Sequence, residues 1–283
     1  MDMAELPEGL SLARLAQTWR RAVGKAGADV EAHRLYQGRS ITDTAAAAAT
    51  LGATWYVVSA GLGLVRSNQH VPPYECTVAE RSDLGRRLRA LECSAAQWWN
   101  ALTDASPTPL SRLIAKAPTL LALPSSYLRL VQDDLARVTP AKTKTLRIFT
   151  SVAGAKCVPD HLQGCVMPYD ERLESVRGYA GTQSDFAQRA LRHFVEALQA
   201  TSMPLEEARA VVAASLANRR RRKRSMGQRM DDDEIRKVLT AQWTRHSGSS
   251  TKLLRYLRDE ARISCEQKRF SRLWQGLSAQ MRA

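Results

Sequence analysis

Residues 53–75 read ATWYVVSAGLGLVRSNQHVPPYE, and the change of character halfway along this stretch decides the architecture. Trp55 to Ser59 is a short apolar run of β-branched and aromatic residues, the pattern of a strand buried on both faces. Gly61 and Gly63 interrupt it. With no Cβ atoms there, the chain is expected to turn sharply and to let a ligand approach its main-chain N–H groups. Strand ends are where α/β proteins place their sites. Pro72 and Pro73 stiffen the following segment and deliver Tyr74 and Glu75, a flat ring beside a carboxylate, suited to stacking on a base and holding charge near it.

Upstream, Leu35-Tyr36-Gln37-Gly38 precedes an Ala-rich helix, Thr42 to Leu51, which Gly52 is expected to end in the left-handed conformation. LYQG, the Ala-rich helix, WYVVSAGLGLV and PPYE, in this order and spacing, resemble the YaaA-like (peroxide-stress protein) group and its relatives in DNA-modification and phage-defence systems. The resemblance covers roughly residues 34–80. Relatives open with a hydrophobic strand, whereas Leu10 to Val23 reads here as a helix, and the polar pair often found inside the S-A-x-x-G-L segment is missing. Most conservatively, the resemblance implies a non-catalytic DNA-binding protein. Its wider neighbourhood includes phage-defence DNA glycosylases.

At 283 residues the chain can bury a substantial core and divide into two domains. Five cysteines, odd in number and irregularly spaced, argue against a disulfide framework and for a reducing cytoplasm. Cys157-x3-His161-x3-Cys165 lacks a fourth ligand, so neither metal nor cofactor is expected. No signal peptide is read at the N-terminus. The uncharged run Thr44 to Val65 is mostly Ala, Gly, Thr and Ser, which reads as core rather than as a membrane span. Charge is concentrated at the C-terminal end: residues 219–283 hold 18 Lys/Arg and 7 Asp/Glu, a net of +11, against 24 and 21, a net of +3, in the preceding 218. That is the footprint of a nucleic-acid-binding module on a nearly neutral domain, with double-stranded DNA as partner, no membrane, and a monomeric state.

Val78 to Thr103 reads as one charged helix with Leu84, Leu88, Leu91, Trp98 and Leu102 on a buried face, and the Trp98-Trp99 pair reads as core. Residues 104–109 form a turn-rich break. Leu121 begins a strand that ends in a polar turn, followed by a helix from Tyr127 to Val138 capped by Ser125 or Ser126, whose free N–H groups suit a phosphate. Leu146 to Val152 is another buried strand. Pro-Tyr-acid then recurs as Pro168-Tyr169-Asp170, with Arg172 placed to keep the carboxylate ionised, before a helix capped by Thr182 or Ser184 that runs to about Ala200. Strands separated by helices predict a mixed α/β domain, a sheet flanked by helices, over residues 1–200. Residues 201–230 are expected to be a helix and a basic linker. An all-α, helix-turn-helix-like DNA-binding domain is expected over 231–283. There the acids from Asp231 open a first helix, Thr251 to Ala261 forms a second, and a capping box from Ser264 to Gln267 starts a third.

The chemistry expected is that of a DNA glycosylase, and the resemblance to phage-defence DNA glycosylases implies as its target a modified base in phage DNA, such as hydroxymethylated or glucosylated cytosine, in antiviral defence. Breaking a base–sugar bond develops positive charge on the sugar, which an ionised carboxylate stabilises while aromatic rings hold the flipped base. Asp170 is the first candidate for that carboxylate and Glu75 the second. Tyr36, Gly38, Ser59, Gly61, Tyr74, Ser125, Tyr169 and Arg172 are the expected substrate contacts. Arg219, Arg220, Arg221, Arg222, Lys223, Arg224, Lys252, Arg255, Lys268 and Arg269 are the expected DNA contacts. A non-catalytic DNA-binding protein and a base transglycosylase on tRNA or DNA are the alternatives.

Overall fold

The computed structural model describes residues 1–104, 110–221 and 228–281, so part of the predicted break after Asp104, together with Arg222, Lys223 and Arg224, lies outside the described residues. The chain divides into two compact units, residues 1–222 and 223–283. The first unit contains α1 (Leu12–Lys25), β1 (Val30–Glu31), α2 (Ala32–Leu35), α3 (Arg39–Leu51), β2 (Tyr56–Ser59), β3 (Gly63–Arg66), β4 (His70–Val71), α4 (Asp83–Ala90), α5 (Ala95–Thr103) and α6 (Leu110–Lys116). It continues with β5 (Thr119–Ala122), α7 (Ser125–Leu130), α8 (Gln132–Ala136), β6 (Leu146–Phe149), α9 (Val152–Ala155), α10 (Phe186–Arg192) and α11 (Leu205–Ala217). The protein is thus mixed but mostly helical.

Its strands pair two at a time: β1 with β4 and β2 with β3 antiparallel, β5 with β6 parallel. The quoted stretch is a hairpin. Ser59 pairs with Gly63 across the turn Ala60-Gly61-Leu62, and Gly63 takes the left-handed φ of +74° that a three-residue hairpin turn requires. Having one ladder neighbour, β2 is only half-buried along Tyr56–Val58, and it lines a cleft instead of filling the core. The strand buried on both faces is β6. Ile148 points into a core with Trp19, Trp98, Leu128 and Leu162, and Phe149 points into a second core with Tyr169, Phe186, Phe194 and Val212, as the two-residue period of a strand dictates.

The predicted helix from Val78 to Thr103 is two helices. Ser82 caps α4, Glu92 breaks it at φ 53°, and Ser94 forms a capping box with Gln97 to start α5. Pro124, not Ser125 or Ser126, sits at the N-cap of α7, which gives way to α8 at Val131. Asp185, not Thr182 or Ser184, precedes α10, because its carboxylate accepts from the Thr182 N–H at 2.9 Å and holds the loop back onto the helix start. A π-helical turn, His193–Ala197, follows. Helix α11 buries Ala208, Val212 and Leu216 in the second core, so it belongs to the first unit rather than to a linker.

The second unit is helical. A capping box of Asp231 and Glu234 starts α12 (Asp232–Gln242); α13 (Ser250–Arg255) runs on into a π turn, and α14 (Gln267–Gln280) closes the unit. Ile235, Leu239, Leu253, Leu257, Phe270, Leu273 and Leu277 make its core, with Trp243 and Trp274 stacked at its edge, 6.4 Å between centroids. The predicted capping box at Ser264 does not form: Ser264 N–H donates to Gln228 O at 3.0 Å in an extended pairing, and Glu266 takes the cap position. Among the described residues no helix is long and apolar enough to cross a membrane.

Candidate functional site

The hairpin turn of β2 and β3 is held by two buried indoles. Trp19 Nε1–H donates to Gly61 O at 2.6 Å, and Trp98 Nε1–H to Ala60 O at 2.7 Å. Ser59 Oγ accepts from the Gly61 and Leu62 N–H groups at 3.1 and 3.0 Å. The main-chain donors expected to meet a ligand are therefore occupied, and the space over Gly61 is filled by the Tyr74 ring. A Cβ on Gly61 would lie 2.6 Å from Tyr74 Cε2. The glycine is there for a side chain of its own protein.

From Ser59 a hydroxyl chain leads outward: Ser59 to Tyr74, and Tyr74 to Tyr36 at 2.6 Å. Burial raises the pKa of Tyr74, Tyr36 and Tyr127 above the usual phenol range, so all three stay neutral and serve as hydrogen-bonding groups and ring faces rather than bases. Cys76 beside them is likewise pushed up by burial, to about 12, and is no nucleophile at neutral pH.

These groups line one end of a cleft of about 1440 Å³ within the first unit. Its walls are α3, the open edges of β2 and β5, and the loop from Thr201 to Pro204. Among the described residues that line it, Glu75 is the only carboxylate, and Lys116, Lys144 and Arg147 are the only cations. The Glu75 backbone is pinned to the N-terminal segment, its N–H donating to Met1 O at 2.9 Å and its carbonyl accepting from Met3 N–H. Among the described residues its exposed carboxylate has no ion-pair partner.

Of the predicted site residues, the structure brings Tyr36, Ser59, Gly61, Tyr74 and Glu75 together and leaves the others apart. Gly38 is the N-cap of α3, at φ 101°. Ser125 is the first residue of α7 and does not line the cleft. Tyr169 is buried in the second core, with its hydroxyl 2.9 Å from His193 Nδ1. Asp170 caps a 3-10 turn, accepting from Arg172 N–H at 2.9 Å and Arg172 Nε–H at 2.8 Å, with Arg221 at 3.7 Å. Partial burial would raise its pKa, but the Arg172 bonds and the Arg221 charge outweigh that and hold it below the usual carboxylate value. The carboxylate is ionised as expected. Its oxygens are spent on its own chain, so the two Pro-Tyr-acid turns do not share a cleft.

The DNA contacts also divide. Arg219, Arg220 and Arg221 are exposed, and Ser175 Oγ–H donates to Arg220 O at 2.6 Å. Lys252, Arg255 and Lys268 are exposed, Arg255 facing Asp259 at 3.6 Å. Arg269 is drawn back onto the first turn of α12, donating to Asp232 at 2.6 Å and Met230 O at 2.9 Å, so its role in the unit is structural. Tyr127, Lys116, Lys144 and Arg147 were not predicted. The one signal in the sequence is Arg147 itself, a lone charge inside an otherwise apolar strand.

Residues 22–106, under a third of the chain, match a family of unknown function, DUF6884. The matched segment holds Tyr36, the β2–β3 hairpin, Tyr74, Glu75 and Trp98, while the cationic residues of the cleft lie outside it. No curated protein and no solved structure matches the chain.

Proposed function

We propose that this protein is a DNA-acting N-glycosidase, with its catalytic cleft between β2 and β5 and a basic second unit that holds the duplex. One observation carries the reading: a single carboxylate, Glu75, stands with three neutral tyrosines at one end of a cleft large enough for a flipped nucleotide. Enzymes that act on a base must extrude it from the stack and hold it by ring faces and hydrogen bonds. Tyr36, Tyr74 and Tyr127 supply both. As the bond from C1′ to the base nitrogen breaks, the electron pair leaves with the base and positive charge develops on the sugar. Glu75 stabilises that charge and takes a proton from the water that attacks C1′. Asp170 drops out of the chemistry because Arg172 and a helix cap consume it. Modified cytosine in phage DNA is the substrate class, and Arg219 to Arg221, Lys252 and Lys268 grip phosphates.

The test is to incubate duplex DNA, plain or carrying hydroxymethylated or glucosylated cytosine, with the protein and then cleave abasic sites with alkali. Strand breaks are expected on one modified duplex. Glu75→Gln is expected to lower their rate by about a hundred- to a thousandfold, the usual cost of losing a group that stabilises transition-state charge, while Asp170→Asn keeps it within a fewfold. Full activity in Glu75→Gln refutes the assignment. No breaks on any duplex, with tight binding retained, turns the reading to a DNA-binding protein without catalysis, which the Asp170–Arg172 pairing also suits.

A further inference from the structure

Among the described residues two arginines are almost wholly buried, and they are treated oppositely. Arg189, with no exposed surface, is neutralised by Asp185 at 2.6 Å and Glu174 at 2.8 Å. Arg147, 5% exposed, has no carboxylate partner among the described residues. Its guanidinium donates to Lys144 O at 2.8 Å, Leu146 O at 3.1 Å and Met203 O at 3.0 Å, and its Nε–H, out of reach of solvent, donates to nothing. An uncompensated buried charge is costly. Carbonyl oxygens solvate it in part and leave its full charge unanswered.

The surroundings say what would answer it. Parallel pairing sets Thr119 beside Leu146 and Leu120 beside Arg147, so the residues leading into both strands, Lys116 and Lys144, line the cleft at the end where β5 begins. Thr201 Oγ1, also a cleft-lining residue, is buried without a partner. Tyr127 follows the other end of β5, a strand that spans about 10 Å from Thr119 to Ala122 at ~3.3 Å per residue. The cleft is therefore cationic at one end and, at the other, aromatic with one carboxylate.

We propose that Arg147, Lys144 and Lys116 form an anion site for a phosphate of the bound nucleotide ligand, at the opposite end of β5 from the tyrosines that take its base. Guanidinium and ammonium groups at the mouth of a low-dielectric cleft are suited to phosphate oxygens. This inference rests on the reading of the cleft as a nucleotide cleft but not on catalysis. The phosphate has two sources, a neighbouring phosphodiester of a DNA strand or the polyphosphate tail of a free nucleotide.

The experiment is equilibrium binding to the full-length protein of a fluorescent trinucleotide with and without a 5′-phosphate, competed by a nucleoside triphosphate or by inorganic pyrophosphate. The 5′-phosphate is expected to tighten binding about tenfold, and pyrophosphate to compete with it. Lys116→Gln/Lys144→Gln, which alters two exposed side chains, is expected to reduce the advantage to within twofold, while Glu75→Gln leaves it intact. Stronger competition by the triphosphate than by an unlabelled phosphorylated trinucleotide assigns the site to free nucleotides, and the reverse assigns it to a strand. No phosphate advantage in the parent, or an advantage that survives the double substitution, overturns the proposal. A phosphate advantage without abasic sites on any DNA leaves the anion site standing and removes the glycosidase; abasic sites without the advantage do the opposite.

Discussion

Gly61→Ala is the sharpest probe of how the hairpin and the tyrosines are joined. Gly61 does not have a positive φ, so alanine fits its backbone and, if the turn were all that mattered, would stabilise the protein by about 0.4–1 kcal/mol through the unfolded chain. The added methyl would instead lie 2.6 and 2.9 Å from Tyr74 Cε2 and Cδ2 and 3.0 Å from Cys76 Cβ. Tyr74 has little room to yield. Its hydroxyl bonds Ser59 and Tyr36, and its ring packs edgewise on Trp19 at 6.3 Å between centroids. Overpacking of this kind costs about 1–3 kcal/mol, leaving a net loss of roughly 1.3 kcal/mol. With m near 3 kcal/mol/M, the urea midpoint of the first unit falls by roughly 0.4 M, as followed by circular dichroism. Adding the alanine to a Tyr74→Ala background is expected to cost less than about 0.5 kcal/mol, since non-additivity marks residues in contact. A Gly61→Ala midpoint equal to or above the parent's refutes the packing argument and returns the glycine to a purely conformational role.

Three further outcomes are expected. His193 is buried and its pKa is depressed from 6.5 to about 4 by burial and by the Arg219 charge; because the folded value lies below the unfolded one, its contribution is whole above pH 6.5 and is lost as pH falls towards 4, by at most about 3 kcal/mol. His193→Gln should flatten thermal stability over that window, and an unchanged pH profile would show that His193 is not the titrating group. Asp170→Asn should cost about 0.5–1 kcal/mol of stability at pH 7, as a lost ion pair with Arg172, since asparagine caps as well as aspartate; because the folded pKa of Asp170 is depressed, the difference from the parent should shrink as pH falls below its ordinary value of 3.8 and through the folded value, and a difference that does not shrink with falling pH would mean the loss is not electrostatic. Replacing Arg219 to Arg224 by Ser/Gly should lower the slope of log affinity for duplex DNA against log salt by up to about 5, near 0.9 for each phosphate that is no longer neutralised; the same slope in parent and variant would place the phosphate-binding cations elsewhere.

What the sequence revealed of this fold was local. Gly52 ends α3 in the left-handed conformation at φ 57°, and its N–H closes the last turn onto Ala48 O and Ala49 O, as the Ala-rich run followed by glycine predicts. Trp98 and Trp99 are core residues because both fall on the buried side of α5, where their indole N–H groups find Ala60 O and Asp134. Glu75, Tyr74 and Tyr36 were visible because two short motifs, PPYE and LYQG, carry them, whereas nothing marked Tyr127. Long-range pairing was not visible. Nothing in TWYVVSAGLGLV distinguishes a strand between two neighbours from a hairpin strand open to a cleft, since both are apolar runs. The Asp170–Arg172 spacing, read as tuning a catalytic acid, is equally the spacing of a local cap, and only the tertiary structure shows its oxygens taken up by Arg172 and Arg221, away from the cleft that Glu75 lines. The cationic end of the cleft depends on the register of β5 against β6, two strands 23 residues apart at their ends, which hydrophobic pattern does not fix.

Because β6 gives alternate side chains to two different cores, the first unit has no line along which it could open in halves. Its amide hydrogens should report this directly. Leu121 and Ile148, and Leu123 and Phe149, are tied through the same ladder, so the Leu123 N–H, which donates to Phe149 O, is expected to exchange with solvent only through global unfolding, at the slowest rate in residues 1–222. Weakening either core should then speed that exchange by the same factor, whether the change is made at Leu128 or at Phe194. The unit would melt as a single cooperative body despite having two hydrophobic centres, and no stable fragment is expected from a chain cut between β5 and β6.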